Sequence, residues 1–204
     1  MNELEQHYLK YFKLFSVHAP IEMVNYVGGQ NGLPNGMASS LECCIEFSKI
    51  ATPDSVILNA GAGASSFVLR KLFPNVICTD PDKDYLEAVK RICGLAGLST
   101  DNFIAVESEA DVLKLKADYT LYYFGNIQRM PYLKNHIEIT GKALYIDDTD
   151  DRSDCLEYRN FVYKNFSQYS ITDCREAMDS YGRWGVILHK NKQKSKRIEA
   201  DFKS

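Results

Sequence analysis

Val56-Ile57-Leu58-Asn59-Ala60-Gly61-Ala62-Gly63-Ala64-Ser65-Ser66 decides how the rest of the chain reads. A short β-rich run, Val56 to Ala60, enters a Gly-x-Gly turn that opens a helical segment, Phe67 to Phe73. Glycines at 61 and 63 let the backbone bend sharply and approach a ligand without Cβ interference, while the amides of the next helical turn face an anionic group. A lone Gly-x-Gly also serves as a tight strand-to-helix turn with no ligand. Here it does not stand alone, because Asp80 closes the next β-rich run, nineteen positions after Gly61. A carboxylate at that place accepts hydrogen bonds from two ribose hydroxyls.

Outward from this unit the chain alternates. Asn75 to Asp80 is a second strand, and Asp82 to Gly97 carries Tyr85, Leu86, Val89, Ile92 and Cys93 on one helical side. Strands are then expected at Asn102 to Val106, Tyr119 to Phe124 and Ala143 to Asp147, with helices around Pro131 to Ile139 and from Asp154 to Phe166. The last two β-rich runs, Gln168 to Asp173 and Trp184 to Lys190, have no helix between them and pair most easily as an antiparallel hairpin. This order predicts an α/β fold, a three-layer α/β/α sandwich on a mixed seven-stranded sheet. Ligands of such sheets bind beyond the carboxyl ends of the strands, so the loops after Ala60, Asp80, Val106, Phe124 and Asp147 are where chemistry is expected.

Upstream, Leu4, Tyr8, Tyr11, Phe12 and Phe15 recur at helical spacing, Asn25 to Gly36 is dense in Gly, Asn and Pro, and a helix is expected from Met37 to Ile50. Three segments follow: an N-terminal helix and lid loop over 1–36, a core domain over 37–190, and a basic, solvated tail over 191–204. The first segment is expected to fold over the ligand and shield the reaction from water.

The 204 residues are 45% hydrophobic and 25% charged, as in an ordinary globular domain. A net charge of −3 offers no general attraction to nucleic acid or to an anionic membrane, so neither is expected as a partner. No stretch approaches the roughly 18 apolar residues of a membrane span, and the first residues carry charges where a signal peptide is apolar. The expectation is a cytoplasmic protein. Its six scattered cysteines form no C-x-x-C pair and read as buried thiols.

The arrangement resembles the class I S-adenosylmethionine-dependent methyltransferases. That family's first motif, an acid, a hydrophobic residue and Gly-x-Gly-x-Gly, reads here as Asn59-Ala60-Gly61-Ala62-Gly63-Ala64-Ser65, so Asn59 replaces the acid and Ser65 the third glycine. The second motif, an acid closing strand two, matches Asp80, followed by Pro81. The third is approximated by Ser108-Glu109-Ala110, and the terminal hairpin also matches. The resemblance spans about Met37 to Lys190. It implies a Rossmann-like fold, S-adenosylmethionine as cofactor, and methyl transfer to a small-molecule acceptor at oxygen. A binding module without catalysis, or transfer of the donor's aminobutyl or aminopropyl portion, stays open as an alternative.

By the same resemblance Asn59, Ala60, Gly61, Ala62, Gly63, Ser65, Asp80, Pro81, Glu109 and Ala110 hold the cofactor. Tyr123 and Phe124, closing strand four, line its pocket and favour the sulfonium by cation–π contact. Asp147 and Asp148 are the candidate catalytic acids, as a base or as anchors for a cationic acceptor. A metal-dependent catechol-type O-methyltransferase has a further acid where this chain has Tyr123-Phe124, so no metal is expected. Asp150, Asp151 and Asp154 read as solvated loop acids and a helix cap. No Asn-Pro-Pro-Tyr motif follows strand four, where the chain reads Phe124-Gly125-Asn126-Ile127, and this weighs against methylation of amino nitrogens.

Overall fold

The computed structural model describes residues 1–27, 31–35, 38, 40–112, 114–122 and 141–190. Its strands are β1 (Ile57–Ala60), β2 (Val76–Asp80), β3 (Phe103–Ala105), β4 (Tyr119–Tyr122), β5 (Ala143–Ile146), β6 (Ser170–Asp173) and β7 (Val186–His189). They form one sheet in the order β3-β2-β1-β4-β5-β7-β6. The first five are parallel, and β7 inserts antiparallel between β5 and β6, with Ile146 opposite Val186. The expected mixed seven-stranded sheet with a terminal antiparallel hairpin is thus observed. β1 and β5 are buried along their whole length, as strands covered on both faces must be.

Two layers of helix cover the sheet. On one side lie α3 (Leu41–Ile50), α4 (Ala64–Leu72) and α5 (Lys83–Leu95), and on the other α7 (Ser153–Asn165) with the short α6 (Glu109–Val112). Alternation along each strand divides the core: Ile57, Leu121 and Tyr145 pack with Phe47 of α3, while Leu58, Leu144 and Ile146 pack with Val162 and Phe166 beside α7. Side-chain caps start the helices. Ser40 accepts the Cys43 N–H at 3.1 Å, and Asp82 accepts the Tyr85 N–H at 2.9 Å. Pro81 therefore lies outside α5, before its cap.

The N-terminal helix α1 (Glu3–His18) is part of the core. Asn2 caps it, and its Tyr11, Phe12 and Phe15 are wholly buried against Phe67 of α4 and Val89 and Ile92 of α5. His7 stacks on Phe67 with ring centroids 4.3 Å apart, and its Nε2 lies 3.1 Å from the Phe67 carbonyl oxygen. Tyr8, Tyr11, Phe12 and Phe15 thus give α1 an aromatic face packed into the core. After it, α2 (Ile21–Val27) occupies the start of the stretch expected as loop. No helix among the described residues is long and apolar enough to cross a membrane.

Candidate functional site

Two neighbouring parallel strands, β1 and β2, end side by side with Ala60 opposite Thr79. Gly61 continues the ladder, its N–H donating to Thr79 O at 2.9 Å, and then turns at φ +103°. Gly63 caps α4 at φ +153°, a conformation open to glycine and strained for other residues. A Cβ on Gly63 would also sit 3.0 Å from the Tyr85 hydroxyl, so α5 closes over the turn. The first amides of α4 point out of this turn toward the carboxyl edge of the sheet, as a helix N-terminus requires.

Asp80 joins the two loops. Its Oδ2 accepts the Ala62 N–H at 3.0 Å and its Oδ1 accepts the Asp82 N–H at 3.0 Å. Each carboxylate oxygen has capacity for a second hydrogen bond, so the group still accepts two donors from a ligand lying across the strand ends. Burial pushes the Asp80 carboxyl up to about 6, against the two amides that favour its charged form.

Asn59 faces the other way. It is wholly buried, and its Nδ2 donates to Ser66 Oγ at 2.7 Å, to Ser65 Oγ at 3.1 Å and to the Gly61 carbonyl at 3.3 Å. Ser66 Oγ also accepts the Gly63 N–H at 3.3 Å. Asn59 therefore braces the glycine turn from beneath, with its amide spent inside the fold. Ala60 closes β1, Ala62 lies in the turn and Ser65 in the first turn of α4, where its hydroxyl returns a bond to Asn59 Oδ1.

At the third strand end, Ser108 donates twice to Asp111 Oδ2, through N–H at 3.1 Å and Oγ at 2.9 Å. Glu109 and Ala110 open α6, and their side chains lie outside the described residues. Tyr123, Phe124, Asn126, the helix expected at Pro131 to Ile139 and the tail 191–204 also lie outside them.

Beyond β5, Asp147 is buried beside Cys43 and Tyr145. Asp148, at φ +51°, pairs with Arg152 Nη2 at 2.8 Å. Asp150 differs from the solvated acid expected of it. It is wholly buried and accepts the Arg152 N–H at 3.0 Å, Nε at 2.8 Å and Nη2 at 2.8 Å. Burial pushes its carboxyl up, but the Arg152 bonds prevail and hold it below the ordinary range. Asp151 is the exposed member, paired with Arg159 and Arg175. Among the described residues no cluster of three or more His, Cys, Asp or Glu side chains is arranged to hold a metal ion.

The connection from β6 to β7 supplies residues that spacing did not single out. Arg183 is buried and donates to Asp179 through Nε at 2.8 Å and Nη2 at 2.6 Å, and through Nη1 to the Ala38 carbonyl at 2.7 Å. The Tyr181 hydroxyl donates to the Pro34 carbonyl at 3.3 Å. These bonds tie the loop after α2 to the sheet edge where β5 ends and β7 begins. The Thr149 N–H bond to Trp184 O, 3.1 Å, holds the acidic loop there too.

No protein-family model and no curated protein matches the chain in sequence. Solved structures do match. A dimethyladenosine transferase from Plasmodium falciparum aligns at TM-score 0.52 and 18% identity over 75% of this chain, which spans 62% of that protein's length. TrmK of M. capricolum, in complex with S-adenosyl-homocysteine, aligns at TM-score 0.54 and 18% identity, covering 76% of this chain and 70% of that one. The B. subtilis M1A22 tRNA methyltransferase TrmK aligns at TM-score 0.52 and 12% identity, covering 76% and 68%.

These likenesses overturn two expectations, the small-molecule acceptor methylated at oxygen and the absence of a nucleic-acid partner. The inference from charge failed for a physical reason. A net charge of −3 sums over the whole surface and does not describe the charge of any one patch of it.

Proposed function

We propose that this chain, which has the fold of the class I S-adenosylmethionine-dependent methyltransferases, transfers a methyl group from S-adenosylmethionine to a base of RNA. The observation that carries the donor half is Asp80, held between the Ala62 and Asp82 amides at the junction of two parallel strands and a two-glycine turn. The residues fit the group. Gly61 and Gly63 give the turn its positive φ values with no Cβ between backbone and ligand, Asp80 keeps acceptor capacity for two ribose hydroxyls, and the α4 amides suit a carboxylate. S-adenosylmethionine supplies an activated methyl group on a sulfonium centre. The protein's own residues then have to bind, align and exclude water.

Asn59, Ser65 and Ser66 keep the turn in shape from inside. Asp147, directly after β5, is the proposed acid on the acceptor side, while Arg152 engages Asp148 and Asp150. A carboxylate held by a guanidinium is a weak base. Support for RNA comes from the named activity of the Bacillus structure and from the arginines at the acceptor edge. Six free, buried cysteines suit a reducing compartment, and we assign the protein to the cytoplasm on that ground.

Calorimetry with S-adenosylmethionine, followed by labelled-methyl incorporation into total RNA, tests the reading. Donor binding with label in RNA is the expected result. Donor binding with no label in RNA overturns the acceptor, and no donor binding overturns the whole assignment.

A further inference from the structure

Tyr181 sits at the tip of the connection between β6 and β7 and is 50% exposed, yet it is held firmly. Its hydroxyl is bonded to Pro34 O, its backbone N–H donates to Asp179 Oδ1 at 2.9 Å, and the Arg183 guanidinium lies 5.3 Å from its ring centroid. Arg183 is itself locked by Asp179 and by Ala38 O, and Gly182, at φ +78°, makes the turn that presents the ring. An exposed aromatic side chain normally rotates freely, and ordering it on contact opposes binding. This one is ordered beforehand, at a cost carried by the fold. Leu33 and Met178, each more than half exposed, lie one residue before Pro34 and one before Asp179. Six residues before Tyr181 the same connection carries Arg175, whose guanidinium is more than half exposed, lies over the Trp184 ring and is shared with Asp151 at 3.4 Å.

We propose that Tyr181 is a stacking platform for an unpaired base of the RNA acceptor, with Arg175 meeting a phosphate of the same strand. The assignment rests on the RNA reading above and names where that RNA docks. A planar ring fixed at its hydroxyl end, backed by a cation and followed by a guanidinium is complementary to a strand whose bases are flat and whose backbone is anionic. Its position fits as well: the register of β5 with β7 places the residues before Val186 at the same end of the sheet as Asp147.

The test uses the full chain and a fluorescent single-stranded RNA of about 12 nucleotides, within the usual site size for such strands. Anisotropy is read for the wild type, Tyr181→Ala, Tyr181→Phe and Arg175→Gln over a range of salt. Tyr181→Ala is expected to bind roughly tenfold more weakly with the salt slope unchanged, and Tyr181→Phe, which keeps the ring and loses only its tether, to fall between Tyr181→Ala and the wild type. Arg175→Gln is expected to flatten the salt slope by about 0.7, one phosphate contact on a single strand. Wild-type binding that Tyr181→Ala leaves untouched overturns the platform and spares the RNA reading. Equal losses in Tyr181→Ala and Tyr181→Phe also overturn it, since the hydroxyl tether and not stacking would then be at work. Failure of the wild type to bind any RNA overturns the RNA reading itself.

Discussion

Asn59 and Ser65 are hydrogen-bonded to each other in both directions, Asn59 Nδ2 to Ser65 Oγ at 3.1 Å and Ser65 Oγ to Asn59 Oδ1 at 3.2 Å. These are the two positions at which the first motif departs from the acid and third glycine of the family it resembles. The departures explain one another. An amide has donors for the serine hydroxyls, and a glycine at 65 would leave that amide with one partner fewer in a buried site.

Asn59→Asp is accordingly expected to destabilise the fold by about 1–3 kcal/mol, because the serine hydroxyls can turn to donate to a carboxylate but the Gly61 carbonyl, in a wholly buried site, loses the donor that Asn59 Nδ2 gives it. Adding Ser65→Gly should make the double variant differ from the sum of the singles by about 0.5 kcal/mol or more. Urea denaturation of the four proteins measures the coupling, and strict additivity would show that the two residues act separately.

The succession of strands and helices and the glycine turn were legible in the sequence because their signals are local. A β-rich run, a turn and a helical period each occupy a dozen residues or fewer, and Asp80 is found by counting from Gly61. What escaped depends on side-chain partners that spacing alone does not specify. Asp150 reads as one more loop acid until Arg152 folds back on it, and Arg183 reads as a turn residue until Ala38, 145 positions earlier, comes within 2.7 Å. Helix α2 escaped because Asn25 opens the Gly- and Asn-rich run of the sequence, whereas Met23 and Val24 pack into the core beside α1.

The Asp80 carboxyl, pushed up to about 6 by burial, gives a pH dependence of definite sign. Between about pH 4, where an unfolded Asp ionises, and about 6, the folded protein holds a proton that the unfolded chain lacks. This group's contribution to stability is therefore full at the acid end, declines as pH rises through that window and is flat above it. Donor binding runs the opposite way, rising through the same window as the carboxylate forms to accept ribose hydroxyls. Asp80→Asn should abolish both dependences and weaken S-adenosylmethionine by on the order of tenfold or more, as read by calorimetry at pH 5 and 7.5.

Phe12 is wholly buried between α1 and its neighbours, and its ring lies 5.1 Å from both Tyr8 and Tyr11. Phe12→Ala should cost about 3–5 kcal/mol, lowering the melting temperature by about 10 °C. Removing residues 1–19 altogether should yield an unfolded or aggregated product, since the apolar faces of α4 and α5 would meet water. A folded truncated protein with native melting behaviour would return α1 to the role of a detachable cover.

The Asp179–Arg183 pair, nearly inaccessible at both ends, ties the loop after α2 to the sheet, and two variants separate its electrostatic role from its tethering role. Asp179→Ala strands a buried guanidinium and should destabilise by about 3–5 kcal/mol. Replacing both partners at once, Asp179→Leu with Arg183→Met, removes the stranded charge, and buried pairs exchanged for apolar groups are often close to neutral. Global stability in the double variant should therefore recover part of the loss, since the Tyr181 and Arg183 N–H groups still lose the Asp179 acceptor. The tether should not recover, because neither new side chain can donate to the Ala38 carbonyl. Amide hydrogen exchange over residues 31–35 and at Ala38 is expected to quicken in both variants, while exchange in β1 quickens only in Asp179→Ala. Loop exchange that stays at the wild-type rate in the double variant would mean that the Tyr181–Pro34 bond alone holds the loop in place.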